Sequence, residues 1–266
     1  MSLASLITPH LPYLRRFART LTGSQESGDA YVAAALEALV ADPSSFPTGM
    51  EPRAALYKVF LKLWSSLDIN RKAPSAAGGA FAAIDRKLEA LTPLPRQAFL
   101  LVAVEEFEPA DAAAILDVDA AGLDKLIEAA GREIAQQVAT DVLIIEDEPL
   151  IAMDIEDIVR GLGHTPVGNA RTHSEASKLA KEHSPGLILA DIQLADGSSG
   201  IDAVNELLRT YDVPVIFITA YPERLLTGDR PEPTFLLTKP FQPAMLKALI
   251  SQALFFEQTA GLRKAG

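Results

Sequence analysis

Apolar residues recur at helical spacing through the first half of the chain, and the pattern changes after about Asp141. In YVAAALEALV, ALYKVFLKLWSSL and AAIDRKLEAL the apolar positions fall three and four residues apart, and up to about Thr140 no run alternates as a strand does. This half is predicted to be entirely helical. Helices are expected over Leu11–Leu21, Gly28–Val40 and Arg53–Leu67, with Pro52 at a helix start, where its missing N–H costs nothing. The stretch NRKAPSAAGGA, residues 70–80, carries Pro, Ser and paired Gly and reads as a flexible link. Beyond it, helices are expected over Phe81–Leu91, Arg96–Glu106, Ala110–Leu116 and Ala121–Val138, with Asp119 as an N-cap. The helical half thus divides into subdomains 1–69 and 81–138.

From Asp141 the apolar runs shorten to VLII, LILA, VIFIT and TFLL, each followed by a turn signal and a helix-period stretch. Five strands are predicted: Val142–Ile145, Pro166–Gly168, Leu187–Ala190, Val215–Ile218 and Thr234–Leu237. Strands alternating with helices require crossovers, so residues 141–257 are expected to form an α/β domain, a five-stranded parallel sheet covered on both faces. Ligands of such sheets sit at the carboxyl ends of the strands.

Composition narrows the function classes. A chain of 266 residues with 48% apolar and 22% charged residues suits a multidomain globular protein with real cores. A net charge of −11 argues against a broad phosphate-backbone-binding surface. The absence of cysteine excludes disulfides, thiolate metal sites and cysteine nucleophiles, and fits a reducing cytoplasm. No signal peptide or membrane span is expected, because no stretch approaches about 18 uncharged apolar residues. The four histidines, His10, His164, His173 and His183, show no ligand spacing.

The predicted strand ends carry the chemistry. LIIEDEP places Glu146 and Asp147 at the end of the first strand, and LILADIQL places Asp191 at the end of the third. Converging carboxylates raise one another's pKa unless a cation neutralises them, and an all-oxygen set points to Mg²⁺. FITAYP and FLLTKP bring Thr219 and Lys239 to the same rim. A hydroxyl and an ammonium there can hold the oxygens of an acyl phosphate, and Asp191, alone at the tip of the middle strand, is the expected nucleophile.

These residues resemble the response-regulator receiver family: the acidic pair Glu146 and Asp147, the acceptor Asp191, Thr219 followed by the small Ala220, and Lys239 followed by Pro240. The resemblance, which implies the flavodoxin-like fold, covers essentially all of residues 141–257. It further implies that the backbone carbonyl of Gln193 is a metal ligand, that the Lys239–Pro240 bond is cis and that a sensor histidine kinase is the phosphodonor. Many receivers carry an aromatic switch three residues before the lysine, where this chain has Leu236. Tyr221 could substitute, against its plainer reading as an exposed loop residue.

In the helical half, residues 92–134 have the layout of a helix-turn-helix. Leu94, Pro95, Arg96, Phe99, Leu100, Phe107 and the Ala112–Leu116 helix resemble region 4 of extracytoplasmic-function sigma factors, and the stretches around LPYLRRFARTLTG and ALYKVFLKLWSSL resemble region 2. Yet residues 80–139 hold five basic against eleven acidic side chains, a net of −6. DNA-binding modules are usually basic. Arg15, Arg16 and Arg19 form the main basic cluster, read either as a portion of a sigma-like interface or as a solvated helix face.

A sigma-like half followed by a receiver resembles the PhyR-type regulators of the alphaproteobacterial general stress response. What that implies is partner switching. Phosphorylation at Asp191 frees the sigma-like half from an intramolecular contact with the receiver, the sigma-like half captures a NepR-type anti-sigma factor, and the sigma factor is released. The chain would then be an anti-anti-sigma factor and not an enzyme. The rival readings are a phosphorylation-controlled DNA-binding regulator and an enzyme with phosphatase chemistry.

Overall fold

A computed structural model describes residues 3–71, 92–194, 197, 199–222 and 232–264. The predicted helix Phe81–Leu91 and almost all of the link 70–80 lie outside the described residues. The chain divides into two compact units, Met1–Gly131 and Arg132–Gly266.

The first unit is helical: α1 (Leu3–Ile7), α2 (Leu11–Thr22), α3 (Gln25–Ala41), α4 (Pro52–Arg71), α5 (Leu94–Ala103), α6 (Pro109–Ile115) and α7 (Ala120–Ile134). Helix α2 ends at Gly23, whose φ of +65° suits a residue without Cβ, and Ser24 caps α3 by accepting from the Ser27 N–H. The α2–α3 pair packs so closely that a Cβ on Gly28 would lie 2.6 Å from the backbone nitrogen of Arg19. Glycine is required there by contact alone.

The core of this unit is aromatic. Phe17 of α2 packs on Tyr57 of α4 with ring centroids 5.1 Å apart, and Tyr31 of α3 packs on Trp64 of α4 at 4.8 Å. Leu100, Leu101, Phe107, Ile115 and Leu123 continue it through α5, α6 and α7.

The arginine cluster of α2 is not a solvated face. Arg19 is 1% exposed, and it and Arg15 both grip Asp29 of α3, while Arg16 reaches Glu105. The spacing of these arginines follows the internal acids they neutralise. Burial alone would raise the Asp29 carboxyl, but the N–H bonds from Arg19 and Arg15 outweigh it and hold the group below the usual carboxylate range.

Asp119 caps α7, its carboxylate accepting from the Gly122 N–H at 2.7 Å. Two predicted ends are corrected. Helix α7 stops at Ile134, short of Val138, and α5 stops at Ala103, short of Glu106, because Glu106 adopts a left-handed φ of +52°.

The second unit is a parallel sheet of β1 (Asp141–Ile145), β2 (Thr165–Ala170), β3 (Leu187–Ala190), β4 (Val215–Thr219) and β5 (Phe235–Thr238), in the order β2-β1-β3-β4-β5. Helices α8 (Pro149–Gly161), α9 (His173–His183), α10 (Gly200–Leu207) and α11 (Pro243–Lys264) connect and cover it. Strand β2 is longer than Pro166–Gly168 because it is a half-buried edge whose polar residues hide it from an apolar pattern. The central strand β3 is buried along its whole length. The chain leaves β1, runs to β2 on one side and returns to β3 on the other, so the carboxyl ends of β1 and β3 flank the point where the connections diverge.

Candidate functional site

Register brings the acids together. Ile145 pairs with Ala190 at the last rung of the β1–β3 ladder, so the next residues, Glu146 and Asp191, emerge side by side. Two further backbone bonds fix them, from Glu146 N–H to the Ala170 carbonyl at 2.9 Å and from Asp191 N–H to the Ile145 carbonyl at 2.8 Å. One carboxylate oxygen from each of Glu146, Asp147 and Asp191 lies within 4.8 Å of the others. Glu146 is 1% exposed and Asp191 9%, while Asp147 is half-buried.

Lys239 leaves the end of β5 and lies between two of these acids, its Nζ 2.6 Å from Glu146 Oε2 and 2.7 Å from Asp191 Oδ2. Its backbone N–H donates to the Thr219 carbonyl at 2.8 Å, continuing the β4–β5 pairing, and the peptide bond that follows, Lys239–Pro240, is cis. Burial pushes the Lys239 ammonium down, but its bonds to Asp191 and Glu146 outweigh this and leave it raised. Burial also raises the Glu146 carboxyl, with the Lys239 bond opposing it only in part.

Backbone donors also reach the two buried acids. Glu146 Oε1 accepts from the Glu148 N–H at 3.2 Å, and Asp191 Oδ1 accepts from the Gln193 N–H at 3.2 Å. The loop after Asp191 is pinned by a bridge between Gln193 and Ser199 and by Gly200 N–H bonding the Ile192 carbonyl at 2.9 Å. A Cβ at residue 200 would stand 1.7 Å from the Asp191 carbonyl oxygen, so only glycine lets α10 begin there.

The carboxylates open onto a cleft of about 450 Å³ lined by Asp147, Glu148, Asp191, Gln193, Ala220 and Tyr221. Tyr221 is 45% exposed, and its N–H donates to Thr219 Oγ1 at 3.0 Å. Thr219 itself is buried at the tip of β4. Leu236 packs in the core with Phe217 and Ile188 beneath the cleft and takes no part in its rim. All the residues read as one site from the sequence therefore meet at one end of the sheet.

Glu148 and Gly200 were missed. An acid following the pair Glu146 and Asp147 looks like any turn residue, and the need for glycine at 200 arises from a contact nine residues away.

Three carboxylates against one ammonium leave a local excess of two negative charges. A hard, all-oxygen donor set of this charge fits a divalent cation such as Mg²⁺. Asp191 combines a nucleophilic oxygen, a cleft and a fixed cation, the elements needed to accept and hold a phosphoryl group.

Three family models match successive segments of the chain. Residues 7–61 match the family model for the sigma2 domain of PhyR, residues 88–137 that for the sigma-like domain of the response regulator PhyR, and residues 142–251 the response regulator receiver domain. The phyllosphere-induced regulator PhyR of Methylorubrum extorquens is 59% identical over 266 residues, covering 100% of this chain and 99% of that protein. The crystal structure of the response regulator PhyR from Brucella abortus superposes with a TM-score of 0.87 at 57% identity, covering 99% of this chain and 98% of the other. The anti-anti-sigma factor PhyR from Bartonella quintana superposes with a TM-score of 0.87 at 56% identity, covering 99% of this chain and all of that one. With full-length identity, both helical matches and the receiver match on one chain, this protein belongs to the PhyR family of response regulators.

Proposed function

We propose that this chain is a phosphorylation-activated anti-anti-sigma factor, in which Asp191 accepts a phosphoryl group and the sigma-like unit then captures a NepR-type anti-sigma factor. The observation that carries the reading is Asp191 at the mouth of the cleft, with Lys239 Nζ at 2.7 Å and two further carboxylates beside it.

An oxygen of the Asp191 carboxylate attacks the phosphorus of a phosphohistidine on a sensor kinase; the P–O bond forms, the P–N bond breaks, and the imidazole leaves and takes up a proton. Glu146, Asp147, Asp191 and the Gln193 carbonyl are the groups to hold Mg²⁺, which when bound supplies positive charge to the phosphoryl oxygens. Lys239 balances charge on the acyl phosphate, Thr219 offers its hydroxyl to a phosphoryl oxygen, and Ala220 keeps the approach open. Tyr221 is the aromatic placed to respond. With Leu236 committed to the core, the aromatic switch of other receivers has no counterpart at that position.

The working division is a region 2-like subdomain over residues 1–69, a link over 70–80, a region 4-like subdomain over 81–138 and a receiver over 141–257, acting in the cytoplasm. Among the described residues no helix is long and apolar enough to cross a membrane. The DNA-binding alternative finds little support in α6 and α7, where Asp111, Asp124 and Glu128 are exposed and would repel phosphate.

The test is capture of the anti-sigma factor by the full chain with and without acetyl phosphate and Mg²⁺. Wild type is expected to bind after phosphorylation and Asp191→Ala to show no response. An Asp191→Ala protein that answers acetyl phosphate as wild type does would remove the assignment.

A further inference from the structure

Helix α4 holds the region 4-like stretch through a polar seam that the receiver chemistry does not use. Its centre is Glu105, fully buried, which follows α5. Glu105 Oε1 accepts from Arg16 of α2 at 3.0 Å, and Oε2 accepts from Arg53 at 2.9 Å and from the Tyr57 hydroxyl at 2.7 Å, both on α4. Arg53 also donates to the Glu105 carbonyl at 2.8 Å and lies over the Phe107 ring at 4.4 Å. One turn along α4, Lys58 donates to the Ala114 carbonyl at 2.7 Å and pairs with Asp117. These contacts join residues 48 to 89 positions apart in the sequence.

Two helix ends fall on the seam. Among the described residues of this unit, the non-glycine residues with positive φ are Glu106 at +52° and Asp117 at +55°. They bracket α6, one beside Glu105 and the other the partner of Lys58. Left-handed φ is a common way to end a helix, closed here by Phe107 N–H to the Leu101 carbonyl and Val118 N–H to the Ala113 carbonyl, and it sets Glu105 and Asp117 where α4 can reach them. Burial and the adjoining Glu105 charge also hold the Tyr57 hydroxyl well above its ordinary pKa, so the phenol stays a donor to Glu105.

We infer that Glu105 is a positioning residue that clamps α5 and α6 onto α4, so that the two sigma-like stretches present one fixed surface, and that capture of the anti-sigma factor requires this clamp. The inference rests on the partner-switching reading above. A sigma factor that reaches two promoter elements needs its two regions separable, whereas a decoy gains affinity when they are preorganised. Glu105→Gln keeps the shape but leaves Arg16 and Arg53 without a counter-charge.

The experiment uses the full chain phosphorylated by acetyl phosphate with Mg²⁺ and compares wild type with Glu105→Gln. Three readouts are taken: phosphorylation of Asp191, hydrogen exchange over residues 94–117, and affinity for the NepR-type partner. Phosphorylation is expected to be unchanged, exchange faster by about tenfold, and affinity weaker by about tenfold. Exchange at the wild-type rate would overturn the clamp. Faster exchange with wild-type affinity would overturn its role in capture.

If circular dichroism shows that Glu105→Gln has lost helix, Tyr57→Phe and Lys58→Met decide instead, since the first removes one tie and the second two, and both spare the pairs of Glu105 with Arg16 and Arg53. Graded losses of affinity support the clamp, and wild-type affinity in both overturns it. A wild-type protein that fails to capture the partner would refute the partner-switching reading, while the exchange comparison would still judge the clamp.

Discussion

Two buried polar clusters, one in each unit, set acids against cations for opposite ends. At Glu105 a single carboxylate meets two guanidinium groups and a phenol, so its charge is more than matched and its oxygens are bonded on both sides. At Asp191 three carboxylates share one ammonium and face a cleft of about 450 Å³. The carboxylate of the first cluster uses both its oxygens in holding helices together. The second keeps an unmet charge where a small ion and a phosphoryl group can enter. Burial of an acid therefore says little about its role. The sign of the charge left over, and whether solvent reaches it, say more.

The contrast breaks most readily at Glu105. Glu105→Ala removes a fully buried carboxylate and leaves the partly buried guanidinium groups of Arg16 and Arg53 without it, and is expected to destabilise the helical unit by about 3 kcal/mol in chemical denaturation. Asp147→Asn removes one of the surplus charges and should leave metal-free stability within about 1 kcal/mol of wild type. Similar losses in the two variants would mean that the clusters do not differ in kind.

A smaller effect sharpens the same comparison. Mg²⁺ at ten times its dissociation constant should stabilise the receiver by about 1.4 kcal/mol and leave the helical unit unchanged. The shift should vanish in Asp147→Asn, and thermal melts followed by hydrogen exchange in each unit measure it. Stabilisation of both units alike would count against a site confined to the strand ends.

The smallest effect concerns pH. His164 is 5% exposed, and its Nδ1 accepts from the Thr140 N–H at 3.3 Å, an arrangement that needs a neutral ring; burial lowers its pKa from the ordinary 6.5. A group whose folded-state pKa is depressed contributes stability that is complete above its unfolded value and lost as pH falls toward the folded one. The receiver should therefore weaken below about pH 6.5, whereas Asp29, held below the usual carboxylate range by Arg15 and Arg19, costs the helical unit stability only below about pH 4. In denaturation from pH 7 to 5, His164→Gln should flatten the receiver's dependence. A slope that survives this substitution would point to another group.

The receiver was legible because its chemistry sits at strand ends, where local pattern and chain topology coincide. A buried strand such as LILA announces itself by composition, and the residue after it must lie on the rim whatever the packing. Edge strand β2 was read too short for the converse reason, since half its surface meets solvent and carries no apolar signal. In the helical unit, Arg15, Arg16 and Arg19 looked like a basic face because their partners Asp29 and Glu105 lie 10 to 89 residues away, beyond any local window.

Residue order alone carried the type and sequence of elements, the division into a helical half and an α/β half, and the set of polar groups able to accept a phosphoryl group. These follow from periodicity, turn chemistry and the right-handed connections of parallel strands, all of which act over short stretches of chain. Distant packing set which buried charges are spent and which remain available. The distances from Lys239 to Glu146 and Asp191, the glycine needed at 200 and the seam around Glu105 exist only once remote segments meet, because electrostatic compensation and steric exclusion depend on separation in space and not along the chain.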